Sequence, residues 1–206
     1  MNLRASRAAK LSVPWTLCLS RFLLGPLLVW LAGGPPRPWL FLALLLAGLL
    51  SDILDGLSAR RLGVATVSLR VWDSRADLVF WLCTALAAYR AHPEVVLEHA
   101  GWIAALVASE ASTYLVGFVR FGKPMSTHAL LAKVFGLSLF GALTAALCFG
   151  VAGIPFYLCM VLGIAANTEI VIIAFILPEW QADVPTWRQA LRIRRGLPVE
   201  KSAWFN

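Results

Sequence analysis

The chain has 206 residues, 60% of them hydrophobic and only 14% charged. About a quarter of the residues in a soluble domain are charged, so this composition excludes an ordinary soluble fold and points to an all-α integral membrane protein. The net charge of +7 would suit nucleic acid in a soluble chain. Here the cations lie between and beyond apolar runs, where topology and anionic headgroups account for them, and no nucleic-acid partner is expected.

In chain order, residues 1–13 carry Arg4, Arg7 and Lys10 at a spacing of three, which aligns the cations on one face of an interfacial helix. No A-x-A-type cleavage pattern follows, so the next apolar run is expected to stay as a first transmembrane segment. Six apolar segments then cover 14–33, 38–58, 68–90, 100–120, 129–151 and 154–177, each close to the ~20 residues a helix needs to cross the hydrocarbon. Between them stand "GGPPRP", "AHPEVVLEHAG", "FGKPMSTH" and "GVAGIP", which carry helix-ending chemistry. The expectation is a six-helix membrane domain over 14–177. A basic cytoplasmic tail over 178–206 holds Trp180, Trp187 and Trp204 and either lies on the inner leaflet or is disordered. The four cysteines all lie inside apolar segments without CxxC spacing, as packing residues would.

With the N-terminus inside, fifteen Lys and Arg residues face the cytoplasm and only Arg37 and Arg90 face outward. The positive-inside rule therefore places both termini in the cytoplasm, a bacterial inner membrane being the expected location.

The stretch "SDILDGLSARRLGVATVSLRVWDSRAD" carries four of the eleven acidic residues. Asp52 and Asp55, three apart, share a face near the end of the second helix; Asp73 and Asp77, four apart, share a face near the start of the third. A short connection lets the pairs face each other at the cytoplasmic side. Four anions in a low-dielectric region repel strongly unless protonated or interleaved with cations. Asp is a hard ligand, so Mg²⁺ or Mn²⁺ fits, Ca²⁺ could also occupy such a site, and zinc does not fit. Two such ions would neutralise the four charges and suit phosphoryl chemistry.

At these residues the chain resembles the CDP-alcohol phosphotransferase family, whose pattern is D-x2-D-G-x2-A-R-x8-G-x3-D-x3-D. Asp52, Asp55, Gly56, Ala59, Arg60, Asp73 and Asp77 match seven of its eight defined positions, and Leu69 stands at the second glycine. "VPWTLCLSR" is similar to the family's P-N-x-L-T-x-x-R, keeping Pro14, Leu17 and Arg21. The resemblance implies transfer of a phosphatidyl group from a CDP-linked lipid such as CDP-diacylglycerol to a small hydroxyl acceptor, with release of CMP. It implies metal ligation by Asp52, Asp55, Asp73 and Asp77, with Asp77 also the general base. It implies donor contact through Gly56, Ala59, Arg60 and position 69, where leucine narrows or reshapes the nucleotide pocket. Family members are commonly homodimers, so a homodimer is expected.

Arg21 either snorkels to the interface or reaches a phosphate in the site. Arg120, Lys123 and Lys133 bracket the connection between the fourth and fifth segments; they suit a phosphorylated acceptor, glycerol 3-phosphate first, or serve only as topological charge. Ser126, Thr127 and His128 lie between them and could bind a headgroup. Glu110 and Glu169 fall inside apolar segments, where acids are functional suspects. Two other readings stay open: a catalytically altered relative that retains the metal site, favoured by Leu69, and a divalent-cation transporter, to which the two glutamates lend support.

Overall fold

A computed structural model describes residues 2–64, 66–125, 130–181 and 184–197; the side chains of residues 2–11, Arg60, Val67, Arg70, Val71, Leu130, Ala132 and Lys133 fall outside that description. Helices form α1 (Asn2–Leu31), α2 (Pro38–Arg61), α3 (Val67–Ala91), α4 (Pro93–Glu98), α5 (Ala100–Phe121), α6 (Leu130–Phe149), α7 (Gly153–Ile176) and α8 (Trp187–Arg194). Among the described residues there is no strand. The six apolar segments correspond to α1, α2, α3, α5, α6 and α7.

Ser12–Leu31, Pro38–Ala59, Ala100–Phe121 and Gly153–Ile176 are long and apolar enough to cross a membrane, and Val134–Phe149 is a shorter apolar helix. Helix α3 has the length, at 25 residues, but four charges over Arg70–Asp77 dilute its hydropathy. The boundary expected between residues 13 and 14 is no break: α1 runs through both Pro14 and Pro26. Near Pro14, Thr16 Oγ1 donates to the Ser12 carbonyl. The tail contains α8, capped by Thr186, whose hydroxyl accepts from the Gln189 N–H.

The chain divides into two compact units, Met1–Leu97 with Leu143–Ala152, and Glu98–Ala142 with Gly153–Asn206. In the first, α1 packs against both α2 and α3, while α2 and α3 touch each other sparsely. The buried positions of α1 run Pro14, Cys18, Arg21, Gly25 and Leu28, the alternating four-three spacing of a supercoil seam. Phe80 of α3, 1% exposed, sets its ring against Gly48 of α2, while Gly25 of α1 closes on the α3 backbone at Phe80 and on Cys83. A Cβ on Gly48 would lie 2.8 Å or closer to three atoms of the Phe80 ring, and one on Gly25 would lie 3.0 Å from Cys83 Cβ and 3.3 Å from Phe80 Cα. Small residues at these two positions let the backbones close on one aromatic wedge.

The α2–α3 connection is built to be short. Gly63, at φ +63°, ends α2, and the Val64 N–H reaches back to the Ala59 carbonyl. That six-to-one bond with two buried apolar residues, Ala59 and Val64, makes a Schellman cap. Thr66 then caps α3, its hydroxyl accepting from the Leu69 N–H at 3.1 Å.

In the second unit α5 packs on α7, and α7 on α8. Asn167, 3% exposed, donates to Ser109 across α5–α7. Ile173, Leu177, Val184 and Ala190 form a core under α8. Glu169 Oε1 accepts from the Trp187 N–H at the start of α8, so this acid caps a helix. Glu110 is exposed on α5.

The Phe80 wedge yields a signed comparison. Gly48→Ala is expected to cost about 1–3 kcal/mol through overpacking against a ring. Gly136→Ala, where an added Cβ meets open space, is expected to stabilise by up to about 1 kcal/mol through helix propensity. Thermal unfolding of the two variants in detergent, side by side with the parent chain, checks both signs.

Candidate metal centre and active site

One turn from the wedge, each helix of the first unit presents its polar residues. Arg21 lies four residues before Gly25, Asp52 four after Gly48, and Asp77 three before Phe80, so in each helix the packing residue and the site residue share a face. The close-packed layer therefore fixes how far apart the polar groups above it stand.

The four carboxylates meet, and they meet on α1. Arg21 is fully buried, at 0% exposure. Its Nη1 donates to Asp52 at 3.0 Å and also to Asp77; its Nη2 donates to Asp55 and to Asp73. Each terminal nitrogen thus bridges one aspartate of α2 and one of α3. The pairs do not face each other across an α2–α3 groove, as the helical spacing alone suggests; they converge on a guanidinium supplied by the helix that packs against both. Buried and held by the four carboxylates, Arg21 does not snorkel to the interface. Sequence reasoning missed this role, although the four-three stripe Pro14, Cys18, Arg21, Gly25, Leu28 carried the signal.

The site is open on one side. Asp55 is 4% exposed at its side chain, against 43%, 31% and 32% for Asp52, Asp73 and Asp77. One oxygen from each of Asp52, Asp55 and Asp73 lies within 4.8 Å of the others. At that separation each ionised pair repels by about 3 kcal/mol at an effective dielectric of about 20. Among the described residues one guanidinium, that of Arg21, pairs with the four carboxylates. The donor set is all hard oxygen, on two helices, within the span of a single ion's coordination shell, and it fits Mg²⁺, Mn²⁺ or Ca²⁺.

The other expected site residues fall as follows. Gly56 is half-buried and Ala59 buried on α2, the latter one turn beyond Asp55. Leu69 is 5% exposed, one turn before Asp73 in the buried stripe of α3. The Arg60 and Lys133 side chains, and Ser126, Thr127 and His128, lie outside the described residues. Arg120 belongs to the second unit, where it donates to the Phe175 and Leu177 carbonyls at 2.9 and 3.2 Å and lies over the Phe121 and Phe175 rings. It caps the C-terminus of α7. Lys123 Nζ sits 3.9 Å from the centre of the Trp180 ring, and Trp180 donates to the Pro124 carbonyl. Both cations thus have structural employment on that side of the chain.

The CDP-alcohol phosphatidyltransferase family profile matches residues 11–180. The chain belongs to this family. No curated protein and no solved structure matches it significantly. CDP-alcohol phosphatidyltransferases are membrane phosphotransferases that use a CDP-alcohol donor, an alcohol acceptor and, in general, divalent metal. The matched range takes in every described carboxylate of the tetrad and the arginine at its centre.

The charge imbalance predicts an inverted response to substitution. In chelator, Asp52→Asn removes one of four crowded negative charges and is expected to raise the unfolding midpoint, as sites that store repulsion for function do. The same variant is expected to lose most of the midpoint increase that Mn²⁺ gives the parent chain. Differential scanning fluorimetry with and without Mn²⁺ reads both effects.

Proposed function

We propose that this CDP-alcohol phosphatidyltransferase joins the phosphatidyl group of a CDP-linked lipid, CDP-diacylglycerol first, to a small hydroxyl acceptor, glycerol 3-phosphate first, in phospholipid synthesis. The observation that carries the reading is the convergence of Asp52, Asp55, Asp73 and Asp77 at one end of a three-helix core, within a chain whose family performs this chemistry.

Asp52, Asp55 and Asp73 would hold the divalent metal together with Asp77. Bound there, the metal would polarise the donor diphosphate and stabilise the charge left on CMP. Asp77, one of the more open carboxylates, is the general base. The acceptor hydroxyl gives its proton to Asp77, and its oxygen bonds the phosphorus that carries the lipid alcohol. The bond from that phosphorus to the bridging oxygen breaks, and CMP leaves with the electron pair. Gly56 and Ala59 offer small surfaces for the nucleotide, and Arg60 a charge for donor phosphate. Arg120, Lys123 and Lys133 are the cations that would suit the phosphate of such an acceptor. Arg120 retains N–H donors beyond the two given to carbonyls, which leaves it capacity for a ligand.

The membrane arrangement belongs to the same proposal: six spans over 14–177, both termini and the tetrad cytoplasmic, in a bacterial inner membrane. Helix α3, at 25 residues, and α6, at 20, are about 38 and 30 Å long, enough for the hydrocarbon core. Glu110, exposed in the middle of the apolar α5, supports a homodimer in which a second copy shields it. The transporter reading loses one of its supports, because Glu169 serves as a helix cap.

Leu69 favours a second reading, a relative with altered donor use. Its side chain is buried beside Asp73 on α3, where the family pattern has a glycine. Purified protein in lipid micelles with CDP-diacylglycerol and Mn²⁺ is expected to release CMP on addition of glycerol 3-phosphate, and Asp77→Asn to lower kcat by about 10²–10⁴. Absence of CMP across a panel of polar acceptors would sink the enzyme reading. Leu69→Gly is expected to raise kcat/KM for the cytidine donor severalfold if leucine restricts it, at a stability cost of about 3 kcal/mol or more. An unchanged kcat/KM clears Leu69 of that role.

A further inference from the structure

The position of Arg21 bears on how a metal enters the site. Its two terminal nitrogens stand between the α2 and α3 carboxylates, one between Asp52 and Asp77 and one between Asp55 and Asp73. A hard divalent ion needs carboxylate oxygens at about 2.0–2.6 Å, and a two-metal centre spans about 3.5–4 Å. The guanidinium engages the same four carboxylates that such ions would use. A second observation shows that the guanidinium is imperfectly housed: Arg21 Nε is buried and has no hydrogen-bond partner among the described residues. An orphaned buried donor costs about 1–3 kcal/mol. Among the described residues a single positive charge stands between the four carboxylates. Arg21 therefore holds the tetrad together without satisfying it.

We propose that Arg21 is a displaceable internal cation, bound by the four aspartates in the absence of metal and driven from between them when divalent ions bind. This rests on the metal reading of the site and adds a competition to it. Arg21 keeps the helices of the first unit from being pushed apart by their own charges. It also sets a threshold that an incoming ion must exceed, so weakly bound or monovalent cations do not load the site. Once expelled, the guanidinium remains on α1 beside the metal ligands, with its fork of N–H donors free for an anionic oxygen.

The test is Mn²⁺ binding to the full-length protein without substrate, by isothermal titration after chelation, paired with thermal unfolding. Arg21→Gln removes the charge and leaves a neutral amide in place of the guanidinium. Relative to the parent chain it is expected to bind Mn²⁺ about tenfold more tightly or better, a difference of about 1.4 kcal/mol. It should also melt lower in chelator, with Mn²⁺ closing most of that gap. Arg37→Gln, which deletes a charge just before α2 begins, is expected to leave Mn²⁺ affinity unchanged. Equal or weaker Mn²⁺ binding by Arg21→Gln overturns the proposal, because the arginine is then a fixed companion of the metal. Failure of both parent and variant to bind Mn²⁺ overturns the metal reading itself, and the competition with it. Binding by the variant alone supports the competition in its strongest form. Should Arg21→Gln not fold, Arg21→Lys, which keeps one charge but cannot fork to four carboxylates, is expected to shift affinity in the same direction by a smaller amount; no shift overturns the proposal.

Discussion

The structure of the first helical unit turns on charge balance at one point. Four carboxylates are brought together next to a greasy three-helix core, and like charges at these separations repel by several kcal/mol per pair. Something positive has to stand among them or the helices part. In the chain by itself that is Arg21, on the helix that packs against both of the others. The Phe80 ring against Gly48, and Gly25 against the α3 backbone and Cys83, supply the opposing force: apolar contact and close backbone approach hold α1, α2 and α3 in one relative position despite the repulsion one turn above. The Schellman cap at Gly63 ends α2 and the Thr66 cap begins α3 only a few residues later. Stability is thereby concentrated below the site, while the site keeps the strained electrostatics that a multivalent cation can relieve.

This division of labour explains why the functional residues lie where they do along the helices. Each polar residue is one turn from a residue whose size matters for packing. The wedge residues and the carboxylates share helix faces, so the packing layer sets the spacing of the donor oxygens. The second unit follows another logic. Arg120, Lys123 and Glu169 close helix ends and cover Trp180, which braces the α7–α8 corner.

Much of this was legible in the amino-acid order. The six apolar runs mark the six long helices to within a few residues, because proline, glycine and charge sit at their ends. The exception is the N-terminus, where α1 continues through Pro14. The aspartate tetrad was legible because spacings of three and four put acids on one helix face whatever the tertiary structure. The partner of those acids was not, since the topology of three packed helices is needed to bring position 21 opposite positions 52, 55, 73 and 77. The stripe of buried residues in α1 held the hint: a lone arginine at a seam position, flanked by cysteine and glycine, has to find its compensation inside the core. Phe80 was invisible for the same reason, because its complement is two glycines on other helices. Leu69 was recognised as a departure from pattern, and its burial beside Asp73 gives that departure a physical location.

The most direct measurement of the central claim is a structure of the full chain in lipid with Mn²⁺ bound, using the anomalous signal of the metal to locate it. The account predicts an anomalous peak between the Asp52, Asp55, Asp73 and Asp77 carboxylates, with the Arg21 guanidinium withdrawn from between them. A saturated crystal with no peak among these oxygens, and Arg21 still bridging all four, would contradict it.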